Sequence, residues 1–181
     1  MALEHALLVA LSEQPAAGMD LAKRFDRSIG YFWRATHQQI YKVLARMVAD
    51  GWVSVTTVEQ EARPDKKVYD VTPAGAEALR AWLATPTGVE PLRSELAVKL
   101  RGASFGDPEA VLHVARASLA DHLERLAHYR RLSERDHPRP AELDGLELDQ
   151  YLVLRGGILL EEMWVAWLTE YLDAHSPEDD A

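Results

Sequence analysis

The stretch that decides the fold runs from Thr36 to Trp52 and reads THQQIYKVLARMVADGW. Its apolar residues recur at the spacing of an amphipathic helix with one buried stripe. They are Ile40, Val43, Leu44, Met47 and Val48. The Thr36 hydroxyl can cap the first turn, Gln39 occupies the capping-box position, and Gly51 provides a left-handed stop. We therefore predict a helix from Thr36 to Asp50.

The outward face of this helix is polar and has no acidic residue before Asp50. Its members are His37, Gln38, Tyr41, Lys42 and Arg46. Glutamine can pair with adenine edges, and arginine or lysine with guanine or phosphate, so this face suits a DNA major groove. An ordinary solvated helix face is the alternative, and this segment alone leaves both interpretations open.

Helical periodicity on the N-terminal side of this stretch predicts two shorter helices. The first covers Leu3 to Glu13, and the second runs from about Met19 to Arg27, after a turn from Pro15 to Gly18. The aromatic connector SIGYFWR, residues 28–34, is expected to pack the corner before the main helix.

On the C-terminal side the pattern changes to alternating β-branched residues, which predict strands. VSVTTVEQ (53–60) and VYDVT (68–72) are joined by the polar turn EARPDKK, and Thr72-Pro73 begins a further helix. Three helices followed by a β-hairpin are the order of a winged helix-turn-helix. At the tip of this wing Arg63, Lys66 and Lys67 can reach phosphates or a minor groove. A solubilising charged turn is the alternative.

The second half of the chain is predicted to be helical beyond a Thr-, Pro- and Gly-rich boundary at residues 85–95. A short helix covers 95–101, a long one starts at Asp107-Pro108 and extends to about 136, and the last runs from about 146 to 175. The inward positions of the first long helix are Leu112, Ala115, Leu119, Leu123, Leu126 and Tyr129. The predicted fold is thus mainly α with a small β-hairpin. We expect residues 1–86 to form the winged helix-turn-helix DNA-binding domain, 92–175 a helical dimerisation and effector domain, and 176–181 a disordered tail.

The last helix has a wider apolar surface than one neighbouring helix of this subdomain can cover. One stripe contains Leu152, Leu159, Met163, Trp167 and Tyr171, and another contains Leu160, Trp164, Leu168 and Leu172. We therefore predict a homodimer with Leu159, Met163, Trp164, Trp167 and Tyr171 in its interface. A ligand site at the tryptophans is the alternative, although tryptophan at helical spacing is usually structural. Gly156-Gly157 could allow close helix contact, a kink or room for a ligand.

Composition limits the partners of the chain. A net charge of −9 over 181 residues argues against a general polyanion binder, but residues 21–48 contain six Lys or Arg against one acid. Residues 92–181 contain ten basic and eighteen acidic residues, so the positive field is local to the N-terminal part. The absence of cysteine, of a long apolar run and of a basic N-terminal region predicts a cytoplasmic protein without disulfides or a membrane span.

Motifs for catalysis are missing. There is no Gly-rich phosphate loop, no G-x-S-x-G elbow and no H-E-x-x-H pair, and the seven histidines are scattered. The pair Glu161-Glu162 is interpreted as a solvated helix edge rather than an acid/base pair. We predict no enzymatic activity, no metal site and no cofactor.

Three segments together resemble the PadR family of bacterial transcriptional regulators. They are SIGYFWRATHQQIYKVLARMVADGWV, RPDKKVYDVTPAGAEALRAWL and YLVLRGGILLEEMWVAWLTEYL, the last resembling the helical domain of the longer, virulence-activator-like subgroup. The resemblance implies a winged-helix homodimer that binds palindromic promoter DNA, usually as a repressor, and that a small effector, such as a phenolic acid, releases in many members. It assigns Thr36, His37, Gln38, Gln39, Tyr41 and Lys42 to the recognition helix, and Arg63, Lys66 and Lys67 to the wing.

Two positions depart from the family pattern. Gly18-Met19-Asp20-Leu21 stands where members often have Gly-Tyr-Glu-Leu, so no effector role can be transferred to the missing tyrosine. Lys42 stands where many members have proline, which adds a possible phosphate contact and can alter the half-site preference.

The sequence favours a DNA-binding regulator over three alternatives. One is a winged-helix module that binds proteins, which the acidic C-terminal part supports. Another is a protein that binds a small aromatic ligand at its dimer interface, without an operator. A MarR-type regulator is closer, but there helices usually flank the winged domain on both sides, whereas this domain starts at the first residue.

Overall fold

The computed structural model describes residues 2–27, 35–59, 66–88 and 92–176. The chain forms two units, residues 1–88 and 89–181. In the first unit the elements are α1 (Ala2–Glu13), β1 (Ala16–Ala17), α2 (Gly18–Arg27), α3 (His37–Ala49), β2 (Val53–Val58), β3 (Lys66–Val71) and α4 (Pro73–Leu83). The strands form an antiparallel sheet in the order β1-β3-β2. Three helices and a β-hairpin are present in the predicted order. The aromatic connector lies outside the described residues.

The core of the first unit lies between its helices and the start of the hairpin. Its buried residues include Leu7, Leu8, Leu11, Leu21, Phe25, Ile40, Leu44, Met47, Val53 and Leu79. Three members of the predicted stripe of α3, Ile40, Leu44 and Met47, are completely buried. The apolar face of α3 therefore holds the helix in the domain, and its opposite face is left to solvent.

Both ends of α3 have the predicted structure. The backbone N–H of Gln39 donates to the Thr36 hydroxyl at 3.2 Å, and the Gln39 side-chain oxygen accepts from the backbone N–H of Thr36 at 2.8 Å. This capping box satisfies two amides at the helix start. Gly51 has a φ of 74°, a left-handed conformation that favours glycine.

The predicted turn at Pro15–Gly18 is wrong in part, because Ala16 and Ala17 form a strand. They pair with Tyr69 and Val68 of β3, on the side opposite β2. Two alanines between Pro15 and Gly18 give no strand periodicity, and their partner lies far away in the sequence. The pairing makes β3 the central strand of the sheet, so the wing is joined to the start of α2.

The second unit contains α5 (Glu95–Arg101), α6 (Pro108–Asp136) and α7 (Gly145–Asp173), with single 3-10 turns at Ala103–Phe105 and Pro140–Glu142. Asp107 caps α6, accepting from the backbone N–H of Glu109 at 3.0 Å. α6 and α7 pack along each other, and Leu100, Ala115, Trp164 and Leu168 form a small core. α7 stays helical through Gly156-Gly157. The three predicted helices are all present.

Two predictions about the faces of these helices are wrong. Leu123 is 47% exposed, and His122 takes the buried place at 9% exposure. Glu161, expected at a solvated edge, is 7% exposed, whereas Glu162 is half-buried. The reason is the same for both errors: the His122 imidazole and the Glu161 carboxylate bind each other across the contact between α6 and α7. Each polar group therefore gains a partner that makes its burial possible.

Candidate nucleic-acid interface

The solvent face of α3 is the surface on which the predicted recognition residues converge. His37, Gln38, Tyr41, Lys42 and Arg46 are all exposed. Gln38, Lys42 and Arg46 are spaced four residues apart, so they follow one another along a row of the helix surface. The first two turns present amide, phenol and ammonium groups to one side. Groups of this chemistry can contact base edges and phosphates.

Thr36 and Gln39 are exposed, but their side chains are bound to each other in the cap of α3. The Thr36 hydroxyl accepts from the Gln39 backbone and donates to the Gln39 side-chain oxygen at 3.2 Å, and that oxygen also accepts from the Thr36 backbone. The capping box therefore fixes both side chains. Of the two glutamines in the first turn, Gln38 is the one whose side chain is not needed for the cap.

Tyr41 connects α3 to the rest of the winged domain. A Cβ atom placed on Gly18 would lie 2.4 Å from Cε1 of Tyr41, so the ring rests directly on the glycine backbone. Tyr69 of β3 is also close: burial raises the pKa of Tyr69, and the charge of Tyr41 raises it further. Tyr41 thus lies between the start of α2 and the central strand while 41% exposed. Its ring is both a structural contact and part of the outer surface.

Arg46 is paired with an acid from the first helix. Its Nη2 donates to Oε1 of Glu4, and the Glu4 residue is 8% exposed. Glu4 lies in the first turn of α1 and Arg46 in the last turn of α3, positions at which the helix dipoles favour an anion and a cation respectively. Arg46 was predicted as a DNA contact, and here it joins α3 to α1.

The wing residues also differ in their surroundings. The Lys66 ammonium lies 2.7 Å from a carboxylate oxygen of Asp20 on α2, and its hydrogen bond and charge lower the pKa of Asp20. Lys67 is exposed. Arg63 lies outside the described residues. The loop end of the hairpin is therefore attached to α2 by an ion pair, and the middle of β3 is attached to β1 by strand pairing.

Glu4 and Asp20 were not predicted as partners of the DNA-contacting cations. The burial of Glu4 could have been predicted, because Glu4 lies at helical spacing from the apolar residues Leu7, Leu8 and Leu11. Those three residues are fully buried in the structure. A carboxylate on such a stripe needs a partner. The pairing of Asp20 could not have been predicted, because an aspartate in the first turn of a helix is common on exposed surfaces.

The predicted dimer residues fall into two groups. Leu159 and Met163 are 51% and 42% exposed, whereas Trp164 is buried in the core of its own unit. Trp167 and Tyr171 pack on that same core, and the Tyr171 hydroxyl donates to the Leu100 carbonyl at 3.1 Å. The exposed apolar surface of α7 is extended by Leu152, Val153 and Leu160.

Across the four described ranges, no three His, Asp or Glu side chains come together as metal ligands. Nor is any helix in those ranges long and apolar enough to cross a membrane.

Comparison with known families accounts for nearly the whole chain. Residues 7–81 match the model of the "Transcriptional regulator PadR-like family", and residues 92–176 match "Virulence activator alpha C-term". A Mycobacterium tuberculosis protein, "Probable transcriptional regulator Rv1176c", is 48% identical over 96% of this chain and 97% of its own length.

Relatives of known structure include proteins from Vibrio cholerae and Bacillus subtilis. The Vibrio cholerae virulence activator AphA is 34% identical, with a TM-score of 0.77 over 95% of this chain and 96% of that one. The "Negative transcriptional regulator PadR" of Bacillus subtilis is 25% identical over 94% of this chain and 95% of its own. Its complex with operator DNA superposes with a TM-score of 0.84 over 96% of this chain and 99% of that one, and a second structure contains p-coumaric acid.

Proposed function

The chain belongs to the PadR-like family of transcriptional regulators, and from that premise we propose that it is a repressor that binds operator DNA as a homodimer. The observation that carries the proposal is the polar face of α3, whose first two turns expose Gln38, Tyr41 and Lys42. Gln38 and Lys42 belong neither to the capping box nor to the buried side of the helix. The family consists of regulators rather than enzymes.

In this proposal α3 enters the major groove with its N-terminal turns leading, as recognition helices do. Gln38 can read an adenine through its amide, and Lys42 can bind guanine or a phosphate. Lys67 and Arg63 contact the flanking backbone from the wing, and such contacts set the position of the protein without reading sequence. Thr36 and Gln39 act indirectly, because their capping box fixes the start of the helix that carries Gln38.

Dimerisation is proposed to occur through the exposed apolar side of α7, centred on Leu159 and Met163. A twofold dimer presents two identical recognition helices, so its operator should be a palindrome with half-sites about 34 Å apart. Repression then follows from occupation of the promoter. The name of the Bacillus subtilis relative supports this direction, whereas the name of the Vibrio cholerae relative describes an activator.

A small aromatic effector is proposed to release the repressor. The support is the Bacillus subtilis structure that contains p-coumaric acid. An effector of this kind must bind better to a state whose recognition helices no longer match both half-sites, since a ligand with equal affinity for both states would shift nothing. Addition of p-coumaric acid to the protein–DNA complex tests one member of this chemical class.

The central experiment is a salt series of binding to DNA from the region upstream of this gene. We expect sequence-selective binding with a steep salt dependence, and a slope reduced by about 0.9 per protomer in Lys42→Ala, since one phosphate contact is lost. The matched control is Lys99→Ala, which removes an exposed cation of the helical unit and should leave the slope unchanged. If a wider genomic selection also returned no preferred sequence, the proposal would be wrong.

The paired cations favour one competing function. Arg46 and Lys66 are bound to carboxylates of their own domain. Fewer cations are therefore available to DNA than the sequence suggested. This is compatible with a winged helix that binds another protein and does not contact DNA. Charge reversal at Lys42 and Lys67 separates the two functions. A DNA-binding repressor loses regulation of a reporter gene when both are changed to Glu, whereas an interaction module keeps it.

A further inference from the structure

We propose that the ion pair with Glu4 prevents Arg46 from contacting DNA. Of the row Gln38, Lys42 and Arg46 on α3, only Gln38 and Lys42 then contact the duplex. The inference rests on the proposed function and adds that Glu4 determines how many cations of the recognition helix are available to DNA. Neither Glu4 nor its pairing with Arg46 follows from the chemistry of the recognition helix itself, because Glu4 lies on α1, 42 residues away from Arg46.

The surface position of Arg46 is the first step. Gln38, Lys42 and Arg46 are spaced four residues apart, which is about 6 Å along the axis per step and places them in one row. A helix with this row would ordinarily present two successive cations to a phosphate backbone. Arg46 belongs to the row by spacing, and its side chain is 45% exposed. Nothing in the sequence of α3 distinguishes it from Lys42 as a DNA contact.

Burial of the partner is the second step. The Glu4 side chain is 11% exposed and receives its hydrogen bond from Arg46 Nη2. If Arg46 moved to a phosphate, the carboxylate would be left in a largely dry position without a cation. A buried charge that loses its partner is strongly unfavourable, whereas exposed pairs contribute little and exchange readily. Arg46 is therefore expected to remain on Glu4 when DNA binds.

The Lys66–Asp20 pair provides a contrast within the same domain. There the side chains are 40% and 53% exposed, so both ions stay in water when the pair opens. Lys66 can leave Asp20 for a DNA phosphate at little free-energy cost, because Asp20 stays hydrated. Arg46 cannot leave Glu4 at a similar cost, because the Glu4 carboxylate is largely buried. Arg46 and Lys66 were both predicted as DNA contacts, one on the recognition helix and one on the wing, and the exposure of their acidic partners gives them different roles.

The consequence for binding is specific. Glu4 limits the sequence-independent part of DNA affinity, which grows with each phosphate that the protein neutralises. Replacing Glu4 by a neutral residue would release Arg46 to the row, adding affinity for any duplex rather than for the operator alone. The ratio of specific to non-specific affinity would therefore fall.

The test compares variants of the full chain by the salt dependence of their binding to a fluorescent 40-base-pair duplex of scrambled sequence. We expect Glu4→Gln to steepen the log–log slope by about 0.9 per protomer. The double variant E4Q/R46Q contains no buried charge at this place and should have the wild-type slope. E77Q is the matched control, since it removes a carboxylate paired with Arg80 on α4, where both side chains are exposed. It should leave the slope unchanged.

Two results would overturn the inference. One is a double variant whose slope is lower than that of the wild type by about 0.9, because Arg46 would then contact DNA despite its partner. The other is a folded Glu4→Gln variant with the wild-type slope. A structural role alone would change the melting temperature without changing the slope. If Lys42→Ala also had no effect on the slope, the proposed function would have failed instead, so the two failures are distinguishable.

Discussion

Nδ1 of His122 lies 2.5 Å from Oε2 of Glu161, so an imidazole and a carboxylate meet inside the contact between α6 and α7. The Arg125 guanidinium approaches the second carboxylate oxygen at 3.2 Å. The ring of Trp164 stacks on the imidazole with 5.1 Å between the ring centroids. This polar cluster fixes how the two long helices face each other, since a shift of either helix along its axis would break these contacts.

Removal of the carboxylate alone should destabilise the helical unit. In Glu161→Leu the buried imidazole and the nearby guanidinium lose their anion, and we expect the free energy of unfolding to fall by about 3 kcal/mol. The double variant H122L/E161L should recover most of this loss, because two apolar side chains of suitable volume can pack in the buried places, and the Arg125 side chain is 36% exposed and can turn to water. Urea denaturation followed by tryptophan fluorescence measures both. A Glu161→Leu protein as stable as the wild type would show that the cluster contributes nothing.

Gly75 in α4 is predicted to be required by a close approach of the backbone of Trp52. A Cβ atom on Gly75 would lie 2.1 Å from the carbonyl oxygen of Trp52, a backbone atom that no rotamer change can move. Gly75→Ala gains helix propensity of about 1 kcal/mol but must displace α4 from the strand start. We expect a net destabilisation of about 1–3 kcal/mol by thermal or urea unfolding. Gly88→Ala is the control, because nothing lies within 4 Å of that position. Equal stability of the two variants would be evidence against this contact.

Tyr69 should make the stability of the winged domain fall at alkaline pH. Burial, and then the nearby Tyr41, raises the pKa of Tyr69 above its ordinary value of 10.0. The unfolded chain therefore loses this proton first, and the stabilisation present below pH 10 is lost as the pH rises through the folded pKa. Tyr69→Phe removes the titration, so its stability should fall less between pH 9 and 11 than that of the wild type.

Absorbance at 295 nm provides the direct measurement, since a phenolate absorbs there and a phenol does not. The wild type should show a late ionisation step from Tyr69 while the protein is folded, and Tyr69→Phe should lack it. Tyr151→Phe, in the helical unit, is the matched control and should leave that late step in place. A wild type without a late step would contradict the predicted shift.

Local signals predicted the elements of the fold well. The capping box at Thr36 and the left-handed Gly51 lie at the two ends of α3, so residues adjacent in sequence specify where the helix begins and ends. The hairpin was predicted from alternation, and α6 from Asp107-Pro108 at its start. In each case the information is contained within one or two turns of chain.

The same local sequence patterns could not predict which charged side chains pair with each other. Arg46 and Glu4 are 42 residues apart, and His122 and Glu161 are 39 apart. Each partner alone has the composition of an ordinary solvated face, and only the tertiary fold decides which acid meets which base. The strand at Ala16-Ala17 failed for the same reason, because its identity comes from pairing with β3. The recognition helix was therefore predictable as an element, whereas the availability of its cations was not.

The exposed side of α7 leads to a prediction about assembly. Leu159 and Met163 are about half exposed and lie four residues apart, one helical turn along the surface. A charge placed there costs little in a monomer, since both positions already face water, but would be desolvated without a partner in a dimer interface. Under the proposed dimerisation we expect the wild type to sediment as a dimer, and Leu159→Glu and Met163→Glu to fold normally and to sediment as monomers at the same concentration.

Val98→Glu is the matched control, because Val98 is 72% exposed on the short helix α5 of the same unit. It introduces the same charge at an apolar surface position away from α7 and should leave the dimer intact. Dissociation should also weaken operator binding far more than binding to a single half-site, since a monomer cannot occupy both halves of a palindrome. If Val98→Glu separated the protomers and Leu159→Glu did not, the interface would include α5 rather than the exposed side of α7.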